Sequence, residues 1–312
     1  MPHLTDKQIA ELKAKRIAEA EETRRKRNAE AAVANEQHRR NKDAARKREG
    51  ARVVLPALDG CVMVVSDQHY MPGHPPSAAH LASVLLAKKL KPWAVIANGD
   101  AIDGACISRW PASSFTDMAG RPSVKAEMDE AGDRLRDYER LSSPQYLVWN
   151  MGNHDARFET RLAEHAPEYA GVNGFTLKEH YPGWLPAWRT DISTTQDATP
   201  EVIIKHRFKS GTHAGQNNAL WAGTSVVTGH DHMLKAYCVS TARGLYWGVH
   251  AGTMAPVDSS QFTHYTEDNP VNWQQGFVFL HFKNGKFTGP EIVNVMPDGR
   301  VLFRGQEIAI GH

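Results

Sequence analysis

From residue 51 onward, short apolar runs alternate with longer amphipathic stretches. Val62–Val65, Ala94–Ala97, Tyr146–Trp149, Val202–Ile204 and Ser225–Val227 are each bounded by glycine or polar residues, and they predict buried strands. Between them, residues 77–91 place Ala78, Leu81, Val84 and Leu85 at helical spacing. That stretch ends in Lys88, Lys89 and Lys91, which suit a helix C-terminus, before Pro92. Residues 123–141 show the same pattern through Val124, Met128, Leu135, Tyr138 and Leu141, and 158–165 predict a third helix. Residues 166–200, punctuated by Gly171, Gly174, Pro182, Gly183 and Pro186, read as an irregular insertion. After residue 232 the pattern becomes strand-rich over 235–240, 245–250, 276–282 and 291–296, with hairpin signals at Asn284-Gly285 and Asp298-Gly299.

The first fifty residues follow another rule. Residues 5–49 are rich in Ala, Glu, Lys and Arg, lack Pro and Gly, and favour helix by propensity. Their apolar positions, Ile9, Leu12, Ile17 and Val33, are too sparse to sustain a heptad seam. The expected organisation is therefore a basic helical arm over 1–50 and one α/β domain over 51–312. The arm carries 14 Lys/Arg against 9 Asp/Glu and the remainder 23 against 26, so the net charge of +2 conceals +5 and −3. A solvated face and a contact with nucleic acid or a partner both fit the arm, and the Arg24–Arg27 run supplies charge for the second.

Cys61, Cys106 and Cys238 stand alone without CxxC spacing, which argues against a disulfide framework or a thiolate metal site and fits a reducing compartment. No apolar stretch approaches 18 residues, and the N-terminus lacks a signal-peptide core. The expectation is a cytoplasmic protein with no membrane segment.

The candidate chemistry sits directly after the five predicted strands: Asp67-Gln68-His69, Gly99-Asp100-Ala101-Ile102-Asp103, Gly152-Asn153-His154-Asp155, His206, and Gly229-His230-Asp231-His232. In open α/β sheets, sites lie just outside the carboxyl ends of the strands. Side chains two apart in an extended segment project to one side, so Asp67 with His69, and His230 with His232, can serve one cation or two neighbouring ones. Oxygen and imidazole ligands without thiolate suit Mn²⁺, Fe or Zn²⁺. A central carboxylate such as Asp100 can bridge two ions, and Asn153 adds a neutral oxygen. Taken singly, each residue has an ordinary reading as turn chemistry, a helix start or a surface histidine. Their joint order is what points to a metal site.

That ordered set resembles the calcineurin-like metallophosphoesterase family, whose pattern is DxH, GDxxD, GNH(D/E), H and GHxH, over roughly residues 60–282. The resemblance implies two facing mixed β-sheets flanked by helices, and a hydrolase acting on phosphate esters with two divalent ions, Mn²⁺ first among them. It implies Asp67, His69, Asp100 and His232 around one ion, and Asp100, Asn153, His206 and His230 around the other. His154 would not be a ligand but would stabilise or protonate the departing oxygen, while Asp155 would orient His154 or cap the following helix.

Two departures qualify it. Arg207 follows His206 where the family often has Gly, which keeps His213 as an alternative ligand, although His206 directly ends an apolar run. Gly104 stands where the phosphoprotein phosphatases carry Arg, and Asp155 where they carry Glu, which disfavours that subgroup. Asn272–Phe277, Ser108-Arg109-Trp110 and Gly223–Val227 resemble a subgroup associated with bacteriophage and prophage phosphoesterases, in which case the host cytoplasm would be the setting. A phosphodiester in nucleic acid or a nucleotide is the expected substrate, with a broad phosphomonoesterase or a non-catalytic scaffold as alternatives. Arg109, Arg157 and Arg207, next to the motifs, could grip phosphate. Trp110, Trp184, Trp188 and Trp273 could stack bases or simply fill the core.

Overall fold

A computed structural model describes residues 52–310, apart from 110–111, 113–114, 196–198, 260–261, 263–265 and 267–268. It also describes residues 21, 22, 25, 26 and 29, which are helical and exposed. The rest of the arm expected over 1–50, and Trp110, lie outside the described residues.

Two mixed sheets stack face to face. One has six strands in the order β1 (Arg52–Pro56), β6 (Arg189–Ser193), β7 (Val202–Lys205), β8 (Ser225–Thr228), β10 (Gly244–Ala251) and β9 (Leu234–Thr241). The other has eight: β14 (Gln306–Ile308), β13 (Val301–Phe303), β12 (Lys286–Val295), β11 (Gly276–Lys283), β2 (Gly60–Val65), β3 (Ala94–Asn98), β4 (Tyr146–Asn150) and β5 (Leu185–Ala187). Strands β2 to β5 run parallel, and β11 to β14 extend the sheet antiparallel. In the six-stranded sheet β7 and β8 are parallel neighbours. Five strands thus deliver their carboxyl ends toward the loops that carry the motifs.

The apolar runs are continuous because both faces of these strands are buried. Val62 and Val64 of β2, Ile96 of β3 and Val148 of β4 meet Val202, Ile204, Val227 and Val249 in the core between the sheets. The alternate residues Met63, Val65, Val95, Ala97, Leu147 and Trp149 pack outward with Phe277 and Phe279 against helices. Those helices are α1 (Ala78–Leu90), joining β2 to β3, and α3 (Val124–Leu141), joining β3 to β4, with α2 (Phe115–Gly120) between them in sequence. Ser77 and Ser123 cap α1 and α3 by accepting from the backbone N–H groups of His80 and Ala126. Lys91, with φ of 49°, closes α1 in the left-handed conformation before Pro92.

Further along lie α4 (Arg157–His165), α5 (Leu177–His180) and α6 (Ala214–Ala222), the last packed on β8, β9 and β10. Asn284 and Gly285 both have positive φ, as a two-residue turn between β11 and β12 requires. Residues 166–200 are more ordered than their Gly and Pro content predicts, because β5 and β6 come from this stretch. Three- and five-residue strands next to prolines leave too little periodicity to be read from sequence.

Leu135 of α3 is 1% exposed among the helix-side core residues. Leu135→Ala should lower unfolding free energy by roughly 2–5 kcal/mol. Denaturant titration checks this, and a change under about 0.5 kcal/mol would show that α3 does not anchor the eight-stranded sheet.

Candidate metal centre

The loops after β2, β3, β4, β7 and β8 meet at one rim. Backbone bonds tie the first two, from Asp67 N to Gly99 O at 3.0 Å and from His69 N to Asp100 O at 2.9 Å. The last two are joined by Gly229 N donating to His206 O at 2.9 Å. Of nine non-glycine residues with positive φ among the described residues, five are Asp67, His69, Asp100, His230 and His232. Such backbone costs roughly 1–3 kcal/mol per residue and persists only where the surroundings enforce it. Glycines supply the remaining clearance. A Cβ on Gly152 would lie 2.0 Å from Asp100 Oδ1, and one on Gly229 would lie 2.0 Å from Ser66 Oγ and 2.5 Å from Asp67 Oδ2.

Three groups of potential ligands result: Asp67, His69 and His232; Asp100, His206 and His230; and His69, Asp103 and His154, the first and third sharing His69. Within each, the ligand atoms lie within 4.8 Å of one another. His232 Nε2 is 3.2 Å from Asp67 Oδ1, and His206 Nε2 is 3.1 Å from Asp100 Oδ2. The groups are interlocked. His230 N donates to both Asp67 oxygens at 3.0 and 2.9 Å, and His154 N donates to Asp100 Oδ1 at 2.8 Å. Asn153 Oδ1 and His232 Nδ1 are buried without a hydrogen-bond partner among the described residues. Leaving such atoms unsatisfied is costly, and cations held by the two groups would satisfy them. The residues present therefore fit divalent metal.

The electrostatics are uneven. Burial alone would suppress the His206 imidazolium, but Asp100 and Asp67 outweigh it and raise the pKa to about 10. Burial lowers His69, and burial together with the His206 charge lowers His230, so both are neutral at pH 7. Asp67 and Asp100 stay well ionised despite burial, because His206 and the neighbouring histidines hold them so. For His154, burial is again opposed by Asp100 and then by Asp103, and its pKa is raised.

The remaining expected residues divide. Arg157 is at the rim, its Nη1 donating to Asp103 O at 2.8 Å and its Nη2 lying 3.2 Å from His154 Nε2. Arg207 is exposed, with its charge felt by His230. Arg109 is exposed on the segment after the short turn at 105–107. Trp273 packs on His232 with ring centroids 4.4 Å apart. Trp184 is core, donating to Glu139 Oε1, while Trp188 is half exposed. His213 stands exposed at the N-cap of α6, outside the three groups.

Asp155 requires a correction, since it neither orients His154 nor caps α4. Its fully buried carboxylate accepts from the backbone N–H groups of Asp100, Ala101, Ile102 and Gly152 and from Trp149 Nε1, at 2.8, 2.9, 3.4, 2.8 and 3.1 Å. Burial and the Asp100 charge push its pKa up to about 6, so it is ionised at neutral pH. It braces two loops and is not a group that touches substrate.

Sequence reasoning gave no role to five residues. Asp103 holds His69 Nδ1 at 3.2 Å and His154 Nδ1 at 2.9 Å; its place two residues beyond Ala101 in the second motif was the available signal. Phe262 lies edge-on to His69, with centroids 5.4 Å apart, and packs against Trp273. Asp231 is bonded to the buried His250 Nδ1, whose Nε2 accepts from Gly215 N at 2.9 Å. Glu127 of α3 is buried and accepts from Gly104 N at 2.5 Å. Nothing local in the sequence marks Phe262, His250 or Glu127.

No protein-family model and no curated relative matches this chain. Solved structures with a similar course of chain include a double mutant of Vps29 from Entamoeba histolytica, at 11% identity and TM-score 0.41, over 80% of this chain and 99% of that one. They also include a metallophosphoesterase from Sphaerobacter thermophilus, at 12% and 0.36 over 72% and 84%. A third is nuclease MPE of Pseudomonas putida, at 14% and 0.30 over 72% and 85%. At TM-scores this low they assign no chemistry to this chain. Among the described residues, no helix is long and apolar enough to cross a membrane.

Because His206 is an imidazolium at pH 7 and must lose its proton to ligate, Mn²⁺ binding should release about one proton or more. Affinity should then rise as pH goes from 6 to 9. Calorimetry in buffers of different ionisation enthalpy reads the release, and a buffer-independent binding heat would contradict it.

Proposed function

We propose that this chain is a phosphoesterase working with two divalent cations, and that its substrate is a phosphodiester of nucleic acid or a nucleotide. The observation that carries the reading is the interlocked pair of groups around Asp67 and Asp100, with five of their six members on left-handed backbone and the buried Asn153 Oδ1 and His232 Nδ1 left unbonded beside them. Asp67, His69 and His232 would hold one ion, and Asp100, Asn153, His206 and His230 the other, with Mn²⁺ preferred and Fe or Zn²⁺ compatible. Divalent cations there supply Lewis-acid polarisation of phosphoryl oxygens and neutralise the charge that develops during displacement. Two dications against the Asp67 and Asp100 carboxylates leave net positive charge to attract a phosphate.

The protein's own groups do the rest. Asp103 fixes His154 through Nδ1, leaving Nε2 at the partly exposed face 3.9 Å from Asp100 Oδ2. The raised pKa of His154 lets Nε2 carry a proton at near-neutral pH and give it to the leaving alkoxide. Arg157 sits beside that nitrogen and can pair with a non-bridging phosphate oxygen. A Cβ on Gly104 would lie in ordinary contact with Arg157 Cδ, at 3.4 Å, so it is the φ of 62° that favours glycine there. The Trp273–Phe262 wall against His232 and His69 gives an aromatic surface for the substrate's organic part.

Hydrolysis of bis-p-nitrophenyl phosphate should vanish on chelation and return with Mn²⁺; activity indifferent to chelation would refute the proposal. Faster turnover of p-nitrophenyl phosphate than of the diester would move the reading to a phosphomonoesterase. His154→Gln should lower kcat by about 10²–10⁴ with metal content unchanged. Loss of bound metal in that variant would instead make His154 a ligand.

A further inference from the structure

A groove of about 540 Å³ opens on the outer face of the six-stranded sheet. Its size falls in the range of small-molecule sites. Along β7, Val202 and Ile204 enter the core between the sheets, whereas Ile203 and Lys205 line this groove. The next residue in the chain, His206, belongs to the metal cluster, so β7 runs from the groove into the cluster. Trp221 of α6 forms part of the lining and is 68% exposed. Phe208 meets it edge-on with centroids 5.5 Å apart. Lys209 Nζ lies 4.6 Å over the Trp221 ring and Lys205 Nζ 5.9 Å over the Phe208 ring.

This arrangement is held from beneath. Asn218, fully buried on α6 and one turn before Trp221, accepts from Lys209 N at 3.2 Å and donates to Lys209 O at 3.0 Å. Arg189, at the groove edge, is taken up by Asp191. Neither lysine has a carboxylate partner among the described residues, and no described residue lining the groove is acidic. The result is an exposed indole with Phe208 edge-on to it, Lys209 over one face of its ring, and two uncompensated cations close by.

A nucleotide uses both features, its base stacking on the indole and its phosphate meeting the lysines. An acidic peptide would engage the cations and leave the indole uncovered. We propose that Trp221, Phe208, Lys205 and Lys209 form a platform that binds a nucleotide of single-stranded nucleic acid, next to the phosphodiester held at the metal centre. Only the placement of that bond rests on the phosphodiesterase reading; the binding stands apart from turnover.

The test is fluorescence anisotropy of fluorescein-labelled dT12 with the full chain in EDTA, between 50 and 200 mM salt. Trp221→Ala should weaken binding by about tenfold or more, as loss of one stacked base does. Lys205→Gln combined with Lys209→Gln should reduce the slope of log affinity against log salt by about 1.4, or 0.7 per lost phosphate contact. Thermal melting of each variant reports whether the fold is retained. Wild-type affinity in a folded Trp221→Ala variant overturns the platform, as does displacement of dT12 by poly-glutamate as effectively as by unlabelled dT12. If wild-type protein hydrolyses no diester yet the variants lose dT12 as described, the platform stands and the phosphodiesterase reading falls.

Discussion

The rim depends on one buried carboxylate. Asp155 receives five N–H donors, which saturate the roughly four lone-pair sites that its two oxygens offer. An unpaired buried carboxylate would cost several kcal/mol; here the five donors offset most of that burial cost, enough to keep Asp155 ionised at neutral pH as a brace. It fastens the chain that starts at Asp100 to the chain that starts at Gly152. Asp100 Oδ1 enters the space left by the missing Gly152 side chain. Without that approach, His154 N could not donate to Asp100, and the group of potential ligands around Asp100 would lose its anchor to the β4 loop.

The same bracing accounts for the distribution of strain. Asp67, His69, Asp100, His230 and His232 adopt left-handed backbone that open loops would relax. Here each turn is fixed by a neighbouring loop: Asp67 and His69 bond to the β3 loop, and His230 bonds back to the Asp67 carboxylate. The side chains are therefore aimed before any ligand arrives, which reduces the reorganisation that catalysis or binding would require. The half-buried Asp231, paired with the buried His250, extends the bracing to the start of α6 through Gly215.

Much of this was legible in the chain because two physical signals coincide. Strands buried on both faces read as unbroken apolar runs, and each such run among β2, β3, β4, β7 and β8 ends directly in the residues that gather at the rim. Helices α1, α3 and α4 begin and end within one residue of their periodic patterns, apart from the Lys91 cap. What escaped depends on long-range contact. Asp155 looks like a helix start or an orienting acid until its partners from residues 100–102 are seen. Phe262, His250 and Glu127 have no local mark, and α6 has an apolar pattern too short and mixed to separate from loop. Strands β5, β6, β13 and β14 are three to five residues long and carry almost no periodicity.

Those short strands matter for a different reason. The eight-stranded sheet terminates on one side in β5, three residues centred on Pro186, and on the other in β14, three residues that begin Gln306-Glu307. A proline offers no N–H to an incoming strand, and a charged three-residue border offers too few groups to template one. The larger sheet is therefore closed at both margins to lateral growth, and a stray β-segment from another molecule finds no seam along which to add.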